Sequence, residues 1–387
     1  MKRVKIPVAF QLTLDDLAWH NGRDLRSIKR GSRSGIPRDH VVEDYKIVNE
    51  LGKALDQKIL CKLCLADWDK DNVLRGEVGV VNDPYTWNRA EEMDMEYAKA
   101  CFTEMENSPY IEYAVHTVLH GRYGEDGNLV SQKEIFVDDD EPERVKPTTP
   151  EDFGHRLDLF FKIYNSWGFD QELRVFGSPC GIPEYITYDQ LLPLNEELYK
   201  RGIRYWHSGW ANHLSDSELF APCRYVGRNG EGRAPWNAFD VDPDFLPDAI
   251  GEDTDIEGSV VWHWTNLLRY HPQKNLENLD KWVAYCKRQA SKFGAMMSRD
   301  FVFSANQQLY HRFARLSVEG DVCSVDLTDL LSKPVPDIGN EFYISFKNDF
   351  LPITCDGGKI SVYEVHEDFK TYKVSYDRPI IKIKSKI

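Results

Sequence analysis

Three short segments carry residue types at spacings that could do chemistry. Thr13-Leu14-Asp15-Asp16 sets two carboxylates side by side at the end of an apolar run. Two anions so close repel unless one is neutralised, and a divalent cation bound by one of them does that. An ordinary surface helix cap would use the same residues. His116-Thr117-Val118-Leu119-His120 offers two imidazoles, the usual nitrogen ligands of zinc and related metals, again after a β-rich run. On a strand's end, a turn into the following loop must bring the two rings together. Without it they are one surface and one core histidine. Arg174-Val175-Phe176-Gly177-Ser178-Pro179-Cys180-Gly181 reads as a strand running into a Pro/Gly loop, where Arg could grip a carboxylate and the loop could shape a groove.

These segments need strands that end at a common place. Val4–Leu14, Ile59–Ala66, Ile111–Thr117, Glu172–Gly177, Gly202–His207 and Ser259–Trp264 read as strands. Between and after them, His40–Leu55, Thr86–Asn107, Pro150–Trp167, Leu191–Arg201 and Leu276–Phe293 read as helices. Strand and helix in turn imply parallel βα units, hence a barrel or a doubly wound sheet. From about Gly320 the pattern becomes all-β, with Glu341–Phe346, Lys359–His366, Thr371–Tyr376 and Ile380–Ile387 as short strands between turn signals. The division expected is a barrel over residues 1–315 and a small antiparallel β domain over 320–387.

Composition narrows the function. The 387 residues are 42% hydrophobic and 29% charged, enough for a large core and typical of a folded, soluble chain. A net charge of −15 argues against nucleic-acid partners and anionic membrane surfaces. No run approaches the length of a membrane span, and the basic start Met1-Lys2-Arg3 is followed by no apolar signal region. The mature chain is therefore expected to start there, in the cytoplasm. Eight scattered cysteines fit reduced thiols. Cys61 and Cys64 have CxxC spacing but lie on a strand, where positions three apart face opposite ways, so both read as core thiols rather than as a metal pair.

Taken together and in this order, the three segments resemble the polysaccharide deacetylase superfamily, metal-dependent deacetylases of the carbohydrate esterase type. Its motifs read T-F-D-D, H-[ST]-x-x-[HS] and R-x-F-R-x-P-x-G, and the likeness spans roughly residues 1–300. The second motif matches fully, and the first differs by Leu14 for Phe. The resemblance implies an α/β fold, a distorted (β/α)7 barrel, with the site at the C-terminal mouth of its strands. It implies Asp15 as general base, with Arg174 restraining it, and Asp16, His116 and His120 as ligands of one divalent metal ion, zinc being the first choice. His263, in Val260-Val261-Trp262-His263-Trp264, corresponds to the family's late general acid; a core histidine between two tryptophans is the competing reading. The fourth motif, an Asp shortly before Trp, has no counterpart: its place is taken by Tyr205-Trp206-His207-Ser208-Gly209-Trp210, so His207 could have a part of its own.

Substrate contacts are expected from Pro179, Trp206, His207 and Trp264. They are also expected from Arg26 and Arg30 in a basic segment that includes Arg23, Lys29, Arg33 and Arg38. A basic loop beside the site suits an anionic group such as a phosphate or uronate, although such loops are also common as solvated surface. The function expected is a hydrolase removing an N-acetyl group from an N-acetylated sugar or glycoconjugate precursor. The alternatives are another C–N amide or an O-acetyl ester at the same metal site, and a non-catalytic carbohydrate-binding protein. The expected partner is a small carbohydrate, neutral or anionic, and a homo-oligomer is compatible with all three.

Overall fold

The computed structural model describes residues 3–18, 36, 38, 40–141, 143–210, 214–231, 238–250, 259–335 and 338–386. In it the run from Val4 to Leu14 is divided at Pro7, whose nitrogen has no hydrogen to donate to a ladder. Val4–Lys5 pairs antiparallel with a strand near the other end of the chain. β1 (Val8–Leu17) follows, with all 10 residues buried, as both faces of a parallel strand require.

β2 (Ile59–Cys64), β3 (Ile111–Thr117), β4 (Val175–Gly177), β5 (Tyr205–Trp210), β6 (Arg224–Glu231) and β7 (Ser259–His263) extend β1 into a curled parallel sheet of 7 strands in chain order. The two edges of that sheet meet, because β7 pairs in parallel with β1 from Ser259↔Gln11 to His263↔Asp15. β8 (Ala295–Met297) lies along the first half of β1. Strand β6 escapes sequence reasoning because Arg-Tyr-Val-Gly-Arg-Asn-Gly-Glu lacks a sustained apolar alternation.

The helices cover the outside of the sheet by the faces that their sequences mark. α1 (Val42–Leu55) buries Tyr45, Ile47, Val48, Leu51 and Leu55. α2 is shorter than the expected Thr86–Asn107: it runs Met95–Glu106, started by the Asp94 carboxylate, which accepts from the Glu96 and Tyr97 N–H groups. α3 (Pro150–Trp167), α4 (Tyr188–Lys200) and α5 (Leu279–Ala290) follow.

α6 (Phe301–Phe313) has a different task, which no periodicity announced. Its Phe301 and Ala305 pack with Leu60, Ala114, Val175, Tyr205 and Val226, the inward side chains of β2 to β6. The Glu112 carboxylate at the start of β3 accepts from the Phe301 N–H at 3.0 Å. The inner side of the strands' N-terminal end is thereby packed, with a polar cavity left beside α6.

The last part of the chain forms two antiparallel sheets. Strands β9 (Arg315–Glu319), β10 (Val322–Asp326), β15 (Ile380–Lys386) and β12 (Leu351–Asp356) make one, in that spatial order. Val4–Lys5, β11 (Glu341–Lys347), β14 (Phe369–Tyr376) and β13 (Gly358–Val365) make the other. The Gln307 side chain on α6 donates to Pro7 O and Tyr343 O and accepts from Tyr343 N–H, which ties the parallel sheet to its antiparallel neighbour.

Candidate functional site

Two backbone irregularities build the site. β1 pairs with β2 as Leu14↔Cys61 and next as Leu17↔Leu63, so Asp15 and Asp16 together face the single residue Lys62. Asp16 takes the left-handed conformation, φ 63°, which aspartate tolerates better than most residues. This bulge turns both neighbouring carboxylates toward the same mouth, where a regular strand would send them apart.

β3 ends in a comparable way. Its pairing with β2 passes from Leu63↔Val115 to Cys64↔Thr117, and His116 is the extra residue. Thr117 Oγ1 then accepts from the His120 N–H at 2.9 Å, and His120 is left-handed at φ 54°. The turn brings the two imidazoles to 5.2 Å between centroids without a helix. Their Nε2 atoms lie 3.3 Å (His116) and 3.6 Å (His120) from Asp16 Oδ1, with all three side chains buried.

The hydrogen-bond partners decide what these atoms can do. His116 Nδ1 lies 2.5 Å from Gly177 O, which can only accept, so Nδ1 carries a proton and, in the neutral ring, Nε2 turns its lone pair toward Asp16. Two ligands at tetrahedral angles, each about 2.0–2.1 Å from zinc, lie roughly 3.3 Å apart. The Asp16–His116–His120 cluster fits a divalent ion in donor type, tautomer and spacing, and it could hold one. The identity of the ion is open among metals that accept nitrogen and oxygen.

Asp15 stands off that cluster. Its Oδ1 lies 2.5 Å from Lys62 Nζ, inside the sheet. Lys62 was missed by sequence reasoning, although a lysine amid Ile59-Leu60-Cys61 and Leu63-Cys64 is a signal, since an interior strand does not carry a charge idly. His263 sits opposite Asp15, with Nε2 3.8 Å from Asp16 Oδ2 and a side chain 16% exposed. Its flanking tryptophans point the other way, as alternation demands: Trp262 packs on Trp282 and Trp264 on His40. Cys61 is a core thiol as expected, but Cys64 is only half-buried and its Sγ lies 3.8 Å from Asp16 Oδ1. The same bulge that gathers the carboxylates brings it there.

Several expected site residues lie elsewhere. Arg174 precedes β4 and so stands at the N-terminal end, where it lines a cavity of about 530 Å³ with Lys58, Glu112 and Arg299. The cation that reaches Asp15 comes instead from β2. Trp206 is wholly buried, stacked on Tyr225 and edge-on to Phe176. Trp264 is likewise buried between His40 and Tyr45, and its Nε1–H donates to Asp44 O. Neither offers a face to a sugar ring. His207 points inward beneath the mouth, with Nε2 2.7 Å from Ser259 Oγ. Pro179 is buried on the loop that leaves β4 at the site end. Arg26 and Arg30, with Arg23, Lys29 and Arg33, lie outside the described residues. Arg38, from the same basic segment, is bound into the fold: its guanidinium pairs with Asp44 at 2.8 Å and donates to Arg269 O and Tyr270 O.

No protein-family model matches the chain, and no curated protein matches it. Among solved structures it is similar to the 4-alpha-glucanotransferase of Thermococcus litoralis, with a TM-score of 0.38 and 12% identity over 76% of this chain. The chain spans about 39% of that protein's length.

Proposed function

We propose that this chain is a metal-dependent hydrolase that removes an N-acetyl group from an N-acetylated sugar or a glycoconjugate precursor, on a deacetylase-like distorted (β/α)7 barrel. The observation that carries the reading is the division of labour between two adjacent aspartates. Asp16 joins two histidine Nε2 atoms, while Asp15 is held by Lys62 outside that cluster. A plain binding protein has no use for a second carboxylate beside three ligands. The burial of Trp206 and Trp264 removes two aromatic platforms that a non-catalytic sugar-binding site would use.

A bound divalent ion would polarise the acetyl carbonyl and make water easier to deprotonate. Asp15 accepts a proton from the attacking water as its oxygen bonds to the carbonyl carbon. His263, on the facing strand, delivers a proton to the sugar nitrogen as the C–N bond breaks. Acetate and the amine leave, and the two protons of the consumed water, one taken by Asp15 and one left on the new carboxyl, pass through solvent to restore His263 and to charge the amine. Among the described residues no helix is long and apolar enough to cross a membrane.

The test is an acetate-release screen across N-acetylated monosaccharides and nucleotide-linked sugars, with and without a chelator. The expected result is acetate and free amine in equal amounts, abolished by chelation and restored by added zinc or cobalt. Release from O-acetyl esters alone would move the assignment to an esterase. Metal-loaded protein that releases acetate from nothing would overturn it.

A further inference from the structure

Lys62 and Asp15 form an ion pair that burial makes expensive. Their side chains are only 1% and 7% exposed, and each charge leaves water to be there. The lysine stem reaches this position by crossing the interior of the sheet to β4. A Cβ at Gly177 would lie 2.3 Å from Lys62 Cδ and 2.5 Å from Cε, closer than real side chains approach. Gly177 has no left-handed backbone that would require glycine. What it supplies is room for the lysine. The same residue's carbonyl fixes the tautomer of His116. A single position therefore serves both the ligand cluster and the group beside it.

We infer that Lys62 is a positioning residue that sorts the two adjacent aspartates, and that Gly177 is the space that lets it do so. Asp15 and Asp16 are chemically identical carboxylates delivered to one mouth by a single bulge. Nothing in the ligand chemistry alone tells an ion which to take. The ammonium group at 2.5 Å holds Asp15 back, so Asp16 alone completes the set with His116 and His120. The cation comes from β2 and passes through the volume that a side chain at position 177 would fill. The inference rests on the metal-centre reading above, but not on which bond is cleaved.

The experiment uses cobalt(II) as the probe and thermal unfolding as a second readout, so neither requires a substrate. Lys62→Met frees Asp15, and the visible spectrum of the cobalt-loaded protein should change as a second carboxylate enters. Lys62→Met/Asp15→Asn has no carboxylate to enter, and its spectrum should return to that of the parent. This double variant leaves no lone buried charge, so it remains measurable if Lys62→Met is too unstable to load. In the parent, Gly177→Ala should lower the melting temperature by roughly 1–4 °C from overpacking. In the Lys62→Met/Asp15→Asn background the flexible methionine can withdraw, and the same change should lose most of its effect. An unchanged spectrum in Lys62→Met, or an equal penalty for Gly177→Ala in both backgrounds, would overturn the inference. Failure of the acetate screen with these results intact would sink the assigned reaction and leave the sorting role standing.

Discussion

Asp15 and His263 face each other across paired parallel strands, 248 residues apart in the chain but direct partners in the register of β1 and β7. That pairing closes the curled sheet, so the contact that completes the fold also places an imidazole and a carboxylate on either side of one site. His263 Nε2 is 3.8 Å from Asp16 Oδ2, within reach of a group held by the ligand cluster.

The opposed placement predicts separable defects. Asp15→Asn made together with Lys62→Met loses the basic carboxylate without leaving a lone buried ammonium, so metal content should hold while kcat falls roughly 10²–10⁴-fold. His263→Gln should slow amide hydrolysis by a similar factor. It should slow an aryl acetate much less, because that leaving group departs without a proton. Equal losses on both substrates would deny His263 the acid role.

The ligand cluster predicts about one divalent ion per chain by elemental analysis. Asp16→Ala, His116→Ala and His120→Ala should each lose most of it, since three protein ligands leave none to spare. Full retention in the His116→Ala/His120→Ala double variant would place the ion elsewhere.

At the opposite end of the strands, burial pushes the Glu112 carboxyl up to about 7, helped by Asp300 and opposed by the Phe301 N–H, Lys58 and Arg174. A carboxyl raised above its ordinary 4.5 keeps a proton that the unfolded chain releases. Its contribution is therefore complete below pH 4.5 and is lost as pH rises toward 7. Glu112→Gln retains an acceptor for Phe301 and removes that loss. Relative to the parent it should gain stability between pH 5 and pH 8, by about 1–2 kcal/mol because the side chain is partly open to the cavity. Melting temperatures at the two pH values measure it, and a gain that is the same at both would refute it.

A role of the basic segment ahead of α1 in substrate choice has its own test. Neutralising Arg26, Lys29, Arg30 and Arg33 together should raise KM for acetylated sugars carrying phosphate or uronate and spare neutral ones. The difference should shrink as salt is added. If both substrate classes respond alike, those cations are solvated surface. Arg38 is left out of that set because its pairing with Asp44 belongs to the fold.

The residue types of the site were legible in the sequence, as was the βα alternation that leads to a parallel sheet. Asp15, Asp16, His116 and His120 stand out because carboxylates and imidazoles at strand ends have few uses, and local patterning is enough to find strand ends. Local patterning could not tell which end of a strand a residue occupies in space, or which face of the finished sheet is solvent. Arg174 is three residues from Gly177 in the chain, yet the strand between them separates a cavity at one end from the site at the other. Trp206 and Trp264 look like sugar platforms until neighbouring helices and strands cover both their faces. Lys62 acquires its meaning only when β1, β2 and β4 curl round a shared interior, because the ion pair with Asp15 and the clearance at Gly177 are made by strands remote in sequence. Sequence carries the chemistry of each side chain and the period of each element. Which charges meet is settled by register, bulge and closure, which depend on long-range pairing.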